Sequence, residues 1–217
     1  MPLTNFDAVL FDKDGTIFDS EQVCCDAWLA TAKRFNVDFT VDMFKKFVGV
    51  PTEQCNQIAH QEFGLSFPMD DFIRETRSFI SAKKRLGLPI KQGFTGFFDY
   101  LVANKVPLGV VTSSGYDSAI ESFQQTELLQ ALDTLVTFDD ITHPKPAPDC
   151  YLLACQQLAV SPQRVLVFED SNAGIEASLA AGCHTVAIPD LVELQPRLLA
   201  DCLATISSFD EAYGILE

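Results

Sequence analysis

Residues 11–20 read FDKDGTIFDS and follow directly on the apolar run Ala8-Val9-Leu10-Phe11. A short apolar run of this kind reads as a buried strand, yet it stops at two carboxylates spaced by one residue, Asp12 and Asp14. In an extended chain these two project to one side and Lys13 to the other. Close carboxylates resist ionising together unless a cation offsets them. The pair suits a hard divalent ion such as magnesium, which takes oxygen ligands. It equally suits a division between a nucleophile and an acid–base group. Gly15 lets the backbone turn sharply beside a ligand. An ordinary Asp-Gly turn with solvated acids would read the same way in isolation, so the rest of the chain has to decide.

Similar apolar runs recur at Leu108–Val111, Leu135–Phe138, Val165–Phe168 and Thr185–Ile188, alternating with helical stretches at Ser118–Gln125, Asp149–Leu158 and Ala173–Ala181. Continuously apolar strands separated by helices predict a doubly wound parallel sheet, an α/β (Rossmann-like) core. Between the first strand and the next lie residues with helical spacing at 20–35, 52–63 and 69–84, broken at Gly49-Val50-Pro51-Thr52 and at Gly64–Pro68. The simplest organisation is an all-helical insertion over residues 18–88, with the α/β core formed by 1–17 and 89–217.

Ligands of such sheets bind beyond the carboxyl ends of the strands, so the residues after each run locate the chemistry. After the second run come Thr112-Ser113-Ser114-Gly115, hydroxyls and amides where a strand meets a helix, an anion-binding arrangement or a plain helix cap. After the third comes His143-Pro144-Lys145-Pro146-Ala147-Pro148-Asp149, one lysine on a backbone stiffened by prolines. Its ammonium can hold a phosphoryl oxygen or balance carboxylates. The fourth run ends in a second acidic pair, Glu169-Asp170. Each cluster alone has a structural explanation; four complementary clusters at four strand ends point to one reaction centre.

The formal net charge is -15, from 15 basic and 30 acidic residues among 217. That excludes a general polyanion-binding surface, so neither nucleic acid nor an anionic membrane is an expected partner. A small anionic substrate remains compatible, provided a metal or a lysine concentrates positive charge locally. Seven cysteines, an odd number with no CxxC pair, fit reduced thiols. With no apolar stretch of membrane-spanning length and no leader-like N-terminus, the expectation is a cytoplasmic protein, acting as a monomer.

In order, Asp12-x-Asp14-Gly15-Thr16, Thr112, Lys145 and Glu169-Asp170 resemble the four motifs of the haloacid-dehalogenase-like hydrolase superfamily. The strings VVTSSG, KPAPD and VFEDSNAGIEA, with the helical insertion, are similar to its β-phosphoglucomutase-like branch, and the likeness extends over essentially the whole chain. The resemblance implies that Asp12 attacks phosphorus and that Asp14 protonates the leaving oxygen, then activates the water that cleaves the aspartyl-phosphate. It implies Mg2+ held by Asp12, the Asp14 backbone carbonyl and Asp170, with Glu169 a ligand or a partner behind the ligands. Thr112, Ser113 and Lys145 would cradle the phosphoryl group, and residues 18–88 would form a closing cap.

Within the superfamily, Asp14 argues against a dehalogenase, and no cap lysine is singled out as a phosphonatase would require. A β-phosphoglucomutase-type mutase carries a His ten residues after its second aspartate and a G-V-x-R cap segment; here stand Cys24 and Gly49-Val50-Pro51-Thr52. The implied activity is therefore a phosphoric monoester hydrolase for a small phosphorylated metabolite, with a mutase and a non-catalytic sugar-phosphate sensor as alternatives. Sugar phosphates lead as substrates. The serine-rich run is also similar to pseudouridine 5'-phosphatases, which adds nucleoside monophosphates. Trp28, Phe44 and Phe47 read as core packing, Arg74 and Arg77 as a solvated helix face, and His143 as a support for the lysine loop. Lys13 stands where this branch is usually apolar; alternation turns it away from the substrate, towards a structural or tuning role.

Overall fold

The computed structural model describes residues 5–47, 52–64 and 66–216. Six strands, β1 (Ala8–Phe11), β2 (Leu108–Val111), β3 (Thr134–Val136), β4 (Val165–Glu169), β5 (His184–Ala187) and β6 (Ala204–Thr205), form one sheet in the order β3-β2-β1-β4-β5-β6. All five pairings are parallel; Val9 lies opposite Leu108 on one side and Leu166 on the other. The chain winds outward from β1 to β3, then returns to place β4 against the other edge of β1. Its direction therefore reverses between β1 and β4, where ligands of such sheets bind.

The central strands β1, β2 and β4 are apolar or glycine at every position before the Glu169 that ends β4, because helices cover both faces. Val9, Phe11, Leu166 and Phe168 point into one cluster with the phenylalanines of α5 (Phe94–Ala103) and with Phe209. Ala8, Leu10, Val165 and Val167 point the other way, onto α7 (Asp149–Gln157) and α8 (Asn172–Ala181). The period-two alternation within each strand thus feeds two separate cores. The remaining core helices are α6 (Tyr116–Phe123) and the short α9 (Pro196–Asp201).

Four helices, α1 (Ser20–Arg34), α2 (Val41–Lys45), α3 (Thr52–Phe63) and α4 (Met69–Leu86), are inserted after β1. They enclose an apolar cluster of their own, in which Trp28 packs against the rings of Phe39, Phe44, Phe47 and Phe72. The segments leading into and out of the insert run side by side. Asp19 N donates to Pro89 O at 2.9 Å and Lys91 N to Ile17 O at 2.9 Å.

Several elements differ from the sequence reading; α6, expected at Ser118–Gln125, runs two residues earlier at Tyr116–Phe123. The third strand begins one residue earlier than the apolar run and stops at Val136; Thr137 accepts and donates in a capping arrangement with Asp140, which turns residues 138–140 into a 3-10 turn. The fifth begins at His184 and ends at Ala187. The two-residue β6 and five-residue α2 carry too little periodicity to announce themselves. The mutase-discriminating segment 49–51 and the side chain of Thr52 lie outside the described residues, as does Leu65 in the second break. No described helix is long and apolar enough to cross a membrane.

Candidate active site

A cavity of about 650 Å³ opens at the carboxyl ends of β1, β2 and β4, beneath α1 and α4 of the insert. Asp12, Asp14, Thr112, Ser113, Lys145 and Asp170 line it, and Glu169 lies under its floor, fully buried. Residues up to 158 positions apart in sequence meet here because three parallel strands end side by side. The seven residues singled out in the sequence are therefore neighbours.

Lys145 is the hub. Its ammonium donates to Asp12 Oδ1 at 2.6 Å, to Glu169 Oε1 at 2.6 Å and to the Val111 carbonyl at 3.2 Å. Burial works against its charged form, but the carboxylates of Asp12 and Glu169 outweigh this and hold it well above the usual lysine range. The ammonium also lies over the Tyr151 ring, 5.1 Å from its centre. Burial pushes the Asp12 carboxyl up to about 7 against the pull of Lys145, and the charges of Glu169 and Asp14 add to the push. Burial, then the neighbouring Asp12 and Glu169, raise Asp170 well above the carboxylate range.

Asp170 is held by Thr16 Oγ1, which donates to its Oδ1 at 3.1 Å. It also packs onto the bare backbone of Gly15: a Cβ there would stand 2.1 Å from Asp170 Oδ2, and the glycine sits at φ +83°. Gly174, in the first turn of α8, makes equivalent room for Glu169, whose Oε1 would lie 1.7 Å from an added Cβ. These two close approaches explain why motif one turns through glycine and why α8 opens with Asn172-Ala173-Gly174.

One oxygen from each of Asp12, Glu169 and Asp170 lies within 4.8 Å of the others. Three buried carboxylates, two of which strain to keep a proton, are a hard-oxygen donor set short of positive charge. That is what a magnesium ion fits. Glu169 is already engaged at both oxygens, by Lys145 and Tyr151 at Oε1 and by Ser171 at Oε2. The Asp14 carboxylate stands outside the cluster. Burial pushes it up, but the Lys13 ammonium together with Ser114 and Ser20 outweighs burial and holds it below the usual range.

Thr112 Oγ1 accepts from the Ser114 amide at 3.1 Å, ordering the loop after β2, and exposed Ser113 stands at the cavity wall. His143 pairs with Asp149 at 2.8 Å on the surface, bracing the lysine loop at its two ends rather than entering the cavity. Trp28 and Phe44 lie in the insert's apolar cluster, and Arg74 pairs with Asp71 in solvent. Sequence reasoning missed the partners that hold the site in place: Tyr151, Ser171 and the specific bond from Ser114 to Asp14 at 2.9 Å. It did not single out Glu21 or Lys84, an acid and a base that line the insert side of the cavity. Glu21 had a signal, lying one turn past motif one at the start of a helix; the others depend on packing across the fold.

A family model described as haloacid dehalogenase-like hydrolase matches residues 9–188. Validoxylamine A 7'-phosphate phosphatase of Streptomyces hygroscopicus subsp. limoneus is 31% identical over 198 residues, 91% of this chain and 92% of its own length. Phosphorylated carbohydrates phosphatase of Thermotoga maritima is 28% identical, with 83% of each chain covered. A solved HAD-family hydrolase of Deinococcus radiodurans shares the fold with a TM-score of 0.84 at 23% identity, over 98% of this chain and 95% of that one.

Proposed function

The chain belongs to the haloacid dehalogenase-like hydrolase family, and from that premise we propose that it is a magnesium-dependent phosphatase of a small phosphomonoester, acting through an aspartyl-phosphate. One observation carries the reading: a buried carboxyl, Asp12, paired with Lys145 and clustered with Glu169 and Asp170, faces a cavity that Asp14 also lines.

Asp12 is the nucleophile. One of its oxygens bonds to phosphorus while the bond from phosphorus to the substrate oxygen breaks; Asp14, which takes up a proton with the substrate because the phosphate charge beside it offsets the hold of Lys13, delivers that proton to the departing oxygen. Asp14 then takes a proton from a water whose oxygen attacks phosphorus, and the bond to Asp12 breaks to release inorganic phosphate. Lys145 keeps the buried acids from repelling one another and offers charge to the phosphoryl oxygens, with Thr112 and Ser113 as hydroxyl and amide donors. Magnesium among Asp12, Asp170 and the Asp14 carbonyl, with Glu169 behind, would supply the charge that lets one anion approach another. Residues 18–88 act as a cap, closing Glu21, Ile80 and Lys84 over the leaving group.

Hydrolysis is favoured over phosphate relocation by Cys24. It lines the cavity where a mutase of this branch carries a histidine, and burial lifts its thiol to about 12, too high to exchange protons near neutrality. The names of the two relatives favour carbohydrate phosphates, with nucleoside monophosphates as the second class. The test is phosphate release from a panel of sugar phosphates and nucleoside monophosphates, with and without Mg2+. Turnover should require the ion and fall on the order of 10⁴-fold in Asp12→Asn. No turnover of any member, or an Asp12→Asn variant as active as wild type, contradicts the reading. Bisphosphate-dependent isomerisation of a hexose phosphate in its place would restore the mutase.

A further inference from the structure

Lys13 has no part in the steps above, yet it is fully buried. Its ammonium lies 2.7 Å from Asp14 Oδ2 and donates to Ser122 Oγ on α6 at 3.2 Å. Ser114 Oγ donates to the same Asp14 oxygen at 2.9 Å. The anchor is itself anchored: Ser122 donates to the Ser118 carbonyl at 3.0 Å, and Lys84 of α4 donates to Ser118 Oγ at 2.8 Å. Lys13 does not line the cavity, so it reaches the substrate only through Asp14. Two donors converging on one carboxylate oxygen fix the rotation of the carboxyl group, and a charged donor makes the stronger bond.

We propose that Lys13 is a positioning residue: braced on Ser122, its ammonium clamps Oδ2 of Asp14 from behind the cavity and aims the carboxyl group at the leaving-group oxygen. The inference rests on the phosphatase reading. A plain structural ion pair would hold the fold and nothing more. The two roles separate by leaving group. An alkoxide departs from phosphorus only as it receives the Asp14 proton, whereas p-nitrophenolate departs without one. In both cases kcat/KM reports the steps through departure.

The experiment compares kcat/KM for the best alkyl phosphate of the wild type with that for p-nitrophenyl phosphate, in wild type, Lys13→Met and Ser122→Ala. Lys13→Met should lower the alkyl-to-aryl ratio by about tenfold or more, since positioned proton transfer contributes roughly 10²–10⁴-fold. Ser122→Ala should move it the same way by less. Because Ser122→Ala leaves both charges in place, it carries the test even if Lys13→Met does not fold. Competitive inhibition by inorganic phosphate checks that the phosphate pocket survives in each. Equal losses for both substrates, or an unchanged ratio in the folded variants, overturn the clamp and leave the phosphatase standing. A wild type that hydrolyses neither compound overturns the phosphatase reading and the clamp with it.

Discussion

Asp12 and Asp14 are separated by one residue but meet opposite environments. Burial lifts the first to about 7, while Lys13 and two serines hold the second down despite burial. The local sequence shows that two acids share an end of a strand; it does not show which lysine each will find. Lys145 arrives at Asp12 from 133 residues away, and Ser122 holds Lys13 from 109. Lys145 was legible all the same, because it stands among prolines in the loop after a strand, whereas Ser122 sits inside a helix where nothing in the sequence marks it as a support. Alternation did turn Lys13 out of the cavity as expected, but towards the back of Asp14 rather than into a purely apolar core.

Glu21 provides a pH test at the same scale. Burial, with Asp14 and Asp190 nearby, lifts its carboxyl from 4.5 to about 7. A raised acid holds its proton more tightly when folded, so its contribution to stability is complete below pH 4.5 and is lost as pH rises through 7. In metal-free protein, Glu21→Gln should leave stability nearly unchanged at pH 4 and gain about 1–3 kcal/mol relative to wild type at pH 8. Urea melts at the two pH values measure it; a gain equal at both contradicts the assignment. Gly15→Ala tests the close approach to Asp170. A left-handed φ and a Cβ 2.1 Å from the carboxylate should together cost about 1–3 kcal/mol and displace the acid. Calorimetric titration with Mg2+ should then show weakened binding; affinity equal to wild type contradicts the packing.

Central strands buried on both faces match their apolar runs, whereas element ends set by caps and the shortest elements do not. The four-residue β1 and β2 match their apolar runs because both faces are buried, and α8 was displaced by a single residue. The third strand overran into Thr137-Phe138, where a cap formed with Asp140 overrides the β propensity of the sequence. In the insert, the helical spacing was legible, whereas the aromatic cluster that binds the helices together depends on their packing. Phe72 is central to that cluster and almost wholly buried. Phe72→Ala should cost about 3–5 kcal/mol. Trp28, the only tryptophan, lies against this ring, so its fluorescence in a urea melt reads the loss directly. A change under about 1 kcal/mol means the insert is held by other contacts.

Across the whole molecule, the charge of -15 and the buried carboxylates act together against an anionic substrate. A divalent ion at the strand ends relieves both, so Mg2+ should stabilise the folded chain as well as activate it. At 100 times its dissociation constant the gain is about 2.7 kcal/mol, visible as a rise in thermal midpoint that chelation reverses. Asp170→Asn should abolish most of that rise, and a midpoint indifferent to Mg2+ in wild type contradicts the metal assignment.

The central claim is that phosphate passes through Asp12, and trapping the intermediate addresses it most directly. Asp14→Asn removes the group that activates water, so acid-quenched protein mixed with Mg2+ and a good leaving-group substrate should accumulate one phosphoryl group. Peptide mass mapping should find it on Asp12, with none in an Asp12→Asn, Asp14→Asn double variant. A wild-type enzyme that turns over while the trapped protein carries no phosphoryl group, or carries it on another residue, contradicts the account.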